Sequence, residues 1–223
     1  QSADLLVTDP PYNVDYVGKT KEALQIKNDK MEDTAFRSFL VAAISNAAGV
    51  LRGGASFYIF HADSEGFNFR YAVRDAGLDL KQTLIWNKNA MVMGRQDYQW
   101  KHEPILYGWK PGSAHFFVDD RTQTTVWDIA RPSRSTDHPT TKPIELMGKC
   151  VANSSKRNAI VLDPFLGSGS TLIACEQLER RCYGIELDPH YCQVIIDRYR
   201  AHCKKENKQF KCTINDRPIK EAA

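Results

Sequence analysis

Two short stretches of this 223-residue chain combine residue types and spacing that can do chemistry. The first is Asp9-Pro10-Pro11-Tyr12, directly after the apolar run Ala3 to Thr8. Its two prolines freeze the backbone and remove two amide donors, so the loop offers acceptors only, chiefly the Asp9 carboxylate and the Pro10 carbonyl. An exocyclic amine of a nucleobase complements such a loop. Accepting both of its N–H bonds localises a lone pair that is otherwise spread into the ring, and so prepares the nitrogen to attack a methyl carbon. Tyr12 adds a flat apolar face on which a base taken out of its stack can rest. In isolation the tetrapeptide also reads as a proline-capped turn with an exposed acid, but its place after a buried strand favours the chemical reading.

The second stretch runs from Asp163 to Thr171, with Pro164, Phe165, Gly167 and Gly169 between them. It has the form of a strand, a glycine-rich turn and a helix start, where small residues let the backbone approach a ligand. Three ligand types suit that form. A phosphate-binding Walker loop needs a lysine that is missing here, and a dinucleotide fingerprint needs a third glycine where Leu172 stands. An adenosyl group remains, because the next apolar run ends in Glu186, whose carboxylate can accept both ribose hydroxyls. A plain turn is the alternative for the glycines alone.

The elements that must position these loops follow from periodicity. Apolar runs at 3–8, 55–60, 82–86, 103–109, 159–162 and 182–186 predict strands, and patterns of three and four predict helices over 34–51, 67–76, 144–152, 170–179 and 189–201. Strands alternating with helices imply an α/β fold with a mainly parallel sheet covered on both faces. Ligands of such sheets sit beyond the carboxyl ends of the strands, where both loops fall. From Lys110 to Pro139 the pattern lapses, and residues 110–137 are taken as an insertion within one domain spanning 1–223. The basic tail past His202 is expected to fray or to face a nucleic acid.

Composition adds bounds. Charged residues make up 26% and hydrophobic residues 42%, ordinary globular usage, and no apolar run is long enough for a membrane helix. The chain therefore reads as soluble and cytoplasmic. Six cysteines without CxxC spacing read as free thiols, with no metal expected. A net charge of +3 permits nucleic-acid binding without arguing for it. Lys88, Arg95, Arg121, Arg131 and Arg134 are the candidate DNA contacts, each also readable as a solvated surface charge.

With these residues in hand, the chain resembles the amino-group DNA methyltransferases of the β arrangement, in which the catalytic loop precedes the cofactor loop. Asp9 to Tyr12 matches the family's catalytic motif, and Asp163 to Gly169 its cofactor loop. The resemblance implies a Rossmann-like methyltransferase fold with a small target-recognition insertion, S-adenosyl-L-methionine as cofactor, double-stranded DNA as substrate and a bacterial or phage source, with restriction–modification as a setting. It implies that the segment with His138, Thr140 and Lys142 holds the methionine end of the cofactor, where spacing alone suggests a proline-flanked helix start. It implies that Glu186, Leu187 and Asp188 form the ribose-binding strand end, and that Trp86 to Lys88 with His102 and Glu103 lie near the target base. Asp rather than Ser at the head of the catalytic motif leans towards N6 of adenine over N4 of cytosine. A Gly-Asp segment usual upstream of the catalytic strand does not precede Gln1, so either the sequence is part of a longer chain, a ParB-like leading segment being one form of it, or cofactor affinity is expected to be impaired. The short insertion makes a homodimer a plausible way to enlarge the DNA-contacting surface. An inert DNA-binding module is the competing class, opposed by the co-occurrence of Asp9, Tyr12, Gly167, Gly169 and Glu186. A nucleotide hydrolase fails on the absent Walker lysine.

Overall fold

The computed structural model describes residues 2–14, 31–131 and 141–219. Most of the lysine-bearing stretch after Asn13, and the expected site residues Arg134, His138 and Thr140, lie outside them. The described chain builds a seven-stranded sheet from β1 (Ala3–Thr8), β2 (Leu51–Phe60), β3 (Asp79–Val92), β4 (Trp100–Trp109), β5 (Val126–Asp128), β6 (Ile160–Asp163) and β7 (Arg181–Gly184). The strand order is β5-β3-β4-β2-β1-β6-β7. Only β4 opposes the rest: it pairs antiparallel with both β2 and β3, while β1–β2, β1–β6, β6–β7 and β3–β5 are parallel. The sequence reading of a mainly parallel α/β sheet holds, with β3 and β4 forming a long antiparallel hairpin.

The alternation of side chains along each central strand explains why both faces need cover. Leu6 of β1 and Phe57 and Ile59 of β2 face one way, into a core closed by Phe36, Leu40 and Ile44 of α1 (Asp33–Val50) and Phe69, Ala72 and Val73 of α2 (Gly66–Asp75). Leu5, Val7, Tyr58 and Phe60 face the other way, against Leu146, Met147, Cys150 and Val151 of α3 (Ile144–Ser154) and Ala174 and Cys175 of α4 (Ser170–Gln177). The helical residues recur at three and four, so each helix turns one apolar stripe to the sheet. Burying a side chain of this size is worth about 1.5–3 kcal/mol.

Two segments differ from expectation. Within the patternless stretch after Lys110, β5 adds an edge strand and Trp127 and Ile129 enter the second core. The Trp86 indole donates to the Ile129 carbonyl at 2.7 Å, fixing that return to the sheet. Three residues of strand carry too little periodicity to be seen in sequence. The described part of the tail, to residue 219, is folded too: α5 (Pro189–Lys205) runs four residues further than its pattern predicts. Phe210 then folds back to pack its ring 5.2 Å from that of Tyr199, and the short strands β8 (Thr213–Ile214) and β9 (Arg217–Pro218) pair behind it. Burial of Phe210 outweighs the solvation of the neighbouring lysines. All six cysteines are free, and no described helix is long and apolar enough to cross a membrane.

Candidate functional site

Chain order reverses between β1 and β6: β2 lies on one side of the pair and β7 on the other. That reversal opens a crevice at the carboxyl ends of the two strands, the usual ligand position in an open parallel sheet. Both loops predicted from sequence end there. The threonine closing β1 and the aspartate closing β6 touch across it, Thr8 Oγ1 donating to Asp163 Oδ1 at 3.0 Å.

On the β6 side, the loop is pinned by its own turn. Asp163 is almost fully buried and also accepts from Thr171 Oγ1 at 2.6 Å and the Phe165 amide at 3.1 Å. Burial nevertheless raises its carboxyl to about 6. Gly169 caps α4 at φ 84°, a left-handed conformation that favours glycine, and a Cβ there would press on Ile195 at 3.2 Å. The Gly167 amide donates to Glu186 Oε2 at 2.9 Å, and the Asp188 amide to Oε1 at 2.8 Å. Two backbone donors thus hold the Glu186 carboxylate at the end of β7. Leu187 and Ile185 flank it, with 70% and 61% of their surface open, an apolar rim beside an acid. Phe165 packs edge-on against Phe39 of α1, their ring centroids 5.9 Å apart.

On the β1 side, the Asp9 to Tyr12 loop is anchored by Asn13, which adopts φ 58° and brackets Met31 through its side-chain amide, accepting at 2.6 Å and donating at 3.1 Å. Asparagine tolerates that left-handed turn. Tyr12 meets Phe69 edge to face. Its hydroxyl donates to Asp9 Oδ1 and lies 3.2 Å from Glu103 Oε2. The Lys142 ammonium, just ahead of α3, reaches Asp9 Oδ2 at 2.6 Å, the Tyr12 hydroxyl at 3.1 Å and Glu103 Oε2 at 3.2 Å. Lys88 of β3 closes the group, 2.5 Å from Glu103 Oε1. Because β4 runs backwards, its early residue Glu103 stands at the same sheet edge as the ends of β1 and β3.

The result is a neutral, buried tetrad of two carboxylates and two ammoniums. Burial alone would raise Glu103, but Lys142 and Lys88 overcome it and hold the carboxyl at about 2. Burial would lower Lys142, yet Asp9 and Glu103 outweigh it and raise the ammonium above its ordinary value. Asp9 is pushed up, by burial first and by the Glu103 charge, against the pull of Lys142. Tyr12 is raised well above its usual range by burial and the same two carboxylates, so its hydroxyl stays protonated. Such a tetrad holds acceptors in fixed positions away from bulk water, the condition under which they act most strongly on developing charge.

Two expected site residues, Lys142 and Lys88, are engaged with partners other than those their assigned roles name. Lys142, expected to hold a cofactor carboxylate, gives its ammonium to Asp9, Tyr12 and Glu103, so a further carboxylate would have to displace one of these. Lys88, expected on DNA, is only 6% exposed and paired with Glu103, with its ammonium 5.1 Å over the Trp86 ring, so a phosphate cannot reach it as it stands. Arg95, Arg121 and Arg131 are exposed. Arg95 lies on the β3–β4 hairpin tip beside exposed Met93 and Tyr98. Glu103 was visible only as part of a weak segment. His61, after β2, was missed: it is buried, stacks on Phe69, and is pushed by burial towards its neutral form. No motif spacing marks it.

Known proteins bear on this geometry. The family model described as DNA methylase, of the N6/N4 amino type, matches residues 3–197. The type II methyltransferase M.Cfr9I of Citrobacter freundii is 29% identical over 143 residues, 59% of this chain and 48% of its own length, so the chain spans about half of that relative. The DNA adenine methyltransferase YhdJ of Escherichia coli is 26% identical over 231 residues, covering 89% of this chain and 76% of its own. Among solved structures, M1.HpyAVI in complex with S-adenosylmethionine superposes with a TM-score of 0.68 at 27% identity, over 88% of this chain and 89% of that one.

Proposed function

The chain belongs to the N6/N4-type DNA methylase family, and from that premise we propose that it transfers a methyl group from S-adenosylmethionine to an exocyclic amine in double-stranded DNA, N6 of adenine. The observation that carries the reading is the meeting, at one switch point, of a proline-fixed loop that presents the Asp9 carboxylate and the Pro10 carbonyl, and a glycine loop with a partnered acid. The residues present fit the cofactor: Glu186 for the ribose hydroxyls, the Gly167 to Gly169 turn for close backbone approach, and Ile185 and Leu187 as an apolar wall for the adenine ring. Bound there, the cofactor supplies an electrophilic methyl group.

The chain's own residues do the rest. Asp9 and the Pro10 carbonyl accept the amine's two hydrogens and leave its lone pair directed away from the ring plane. Tyr12 stacks on the flipped base, whose removal from the duplex costs a few kcal/mol. Once nitrogen carries the new methyl it sheds a proton, and Asp9, raised by burial, can take it up before passing it to water. Exposed Arg95, Arg121 and Arg131 offset the cost of flipping through phosphate contacts. An aspartate in place of a hydroxyl at the head of the loop supports adenine, as does the name of the YhdJ relative.

The test is transfer of labelled methyl from S-adenosylmethionine to mixed-sequence duplex DNA, followed by nucleoside analysis. Label in N6-methyladenine is expected. Label in N4-methylcytosine would keep the mechanism and overturn the base, and no label in DNA would overturn the activity.

A further inference from the structure

The acceptor that a target amine needs is already occupied. Asp9 Oδ2 holds the Lys142 ammonium at 2.6 Å, and Lys142 is 6% exposed, so displacing it towards nothing would strand a buried cation. Losing one partner of a buried pair is the costly event, more than forming the pair is favourable. Glu103 is the second carboxylate within reach, its Oε2 3.2 Å from the same nitrogen and 3.2 Å from the Tyr12 hydroxyl. Its Oε1 is fixed by Lys88, and both side chains stand on the β3–β4 hairpin, where Trp86 pairs with Glu103 in register.

We propose that Glu103 is a positioning residue for amine methylation: when the amine takes Asp9, Glu103 receives the Lys142 ammonium and the Tyr12 hydroxyl, freeing the acceptor without leaving a buried charge unpaired. This inference rests on the functional reading above. A single hydroxyl donates to one carboxylate at a time, and an ammonium has three hydrogens, so both donors can turn from Asp9 to Glu103 without bond making or breaking. Lys88 keeps Glu103 ionised and oriented during the exchange. The groups that face Asp9 are Tyr12 on its own loop, Glu103 on β4 with Lys88 behind it on β3, Lys142 ahead of α3 and Asp163 on β6. His61 after β2 faces Glu103.

The test compares wild type, Glu103→Gln and Lys88→Met as full chains, with labelled cofactor and unmethylated mixed-sequence duplex DNA. Glu103→Gln is expected to bind S-adenosylmethionine within about twofold of wild type and to lose about 10- to 100-fold in kcat/KM for DNA, because Lys142 stays on Asp9. The acidic limb of its pH profile should move to lower pH, since the Glu103 charge raises Asp9. Lys88→Met leaves the Glu103–Lys142 contact and should lose less. Wild-type rates and an unmoved limb in Glu103→Gln would overturn the inference while the functional reading stands. So would a loss that tracks a lower melting temperature with the limb unmoved. A wild type that binds cofactor but transfers nothing to DNA would overturn the functional reading, and this inference with it.

Discussion

The two walls of the crevice are built in different ways. On the β6–β7 wall the contacts are local: Thr171 and Asp163 are 8 positions apart, Gly167 and Glu186 are 19 apart, and backbone amides do much of the holding. On the β1–β4 wall the contacts are distant: Lys142 and Asp9 are 133 positions apart, Tyr12 and Glu103 91, and side-chain charges hold one another. The first wall is preformed and open, its acid fixed by amides beside an exposed apolar rim. The second is closed on itself and must exchange partners when a base enters. Affinity for the cofactor and rate of transfer should therefore be separable by mutation.

The largest expected effect comes from Asp9→Ala, which deletes the acceptor and leaves Lys142 to Glu103. Transfer should fall by at least about 10²- to 10³-fold, the scale of losing one stabilising group at developing charge, while S-adenosylmethionine binding measured by calorimetry stays within about twofold. A parallel loss of cofactor binding would break the separation. Glu186→Gln probes the opposite wall. It loses a charged acceptor that two amides serve, and one of its amide hydrogens must face a donor. Cofactor affinity should weaken about tenfold, with kcat at saturating cofactor unchanged. A fall in kcat of the same size would show that the two walls act as one.

The same contrast explains what was legible in the sequence. The strand–loop–helix at Asp163 to Thr171 and the acid at Glu186 could be read because the contacts that define them span one α/β unit. Asp9 to Tyr12 could be read because two consecutive prolines after an apolar run leave few alternatives for the backbone. The partners of Asp9 could not. Lys142 looked like part of a proline-flanked helix start or a cofactor ligand, and Lys88 like a phosphate contact or a solvated charge, because nothing local says that a lysine will be buried; the antiparallel β4 does that by bringing Glu103 to the site edge. Seeing β4 reversed requires its pairing with β2 and β3, which strand patterns alone do not encode. The β5 strand and the folded-back Phe210 were hidden for a related reason: each depends on a surface supplied by distant elements.

The smallest expected effect sharpens the comparison through pH. Asp163, on the β6–β7 wall, is raised by burial to about 6, above its ordinary 3.8. Its folded form binds a proton more tightly than the unfolded chain does, so its contribution to stability is complete below pH 3.8 and is lost as pH rises through about 6. Glu103, on the β1–β4 wall, is held at about 2 against an ordinary 4.5, so its contribution is complete above 4.5 and is lost only as pH falls towards 2. Between about pH 4.5 and 6.5, then, Asp163 should lose its contribution while Glu103 keeps its own. Asp163→Asn removes that titration, and its hydroxyl partners Thr8 and Thr171 can turn to suit an amide. Urea midpoints at about pH 4.5 and 6.5 should show wild type losing about 1–2 kcal/mol relative to the variant across that interval, the scale of one to two pKa units. Equal pH slopes in the two proteins would mean that hydrogen bonds from Thr171, Phe165 and Thr8 hold Asp163 ionised despite its burial, as Lys142 and Lys88 hold Glu103.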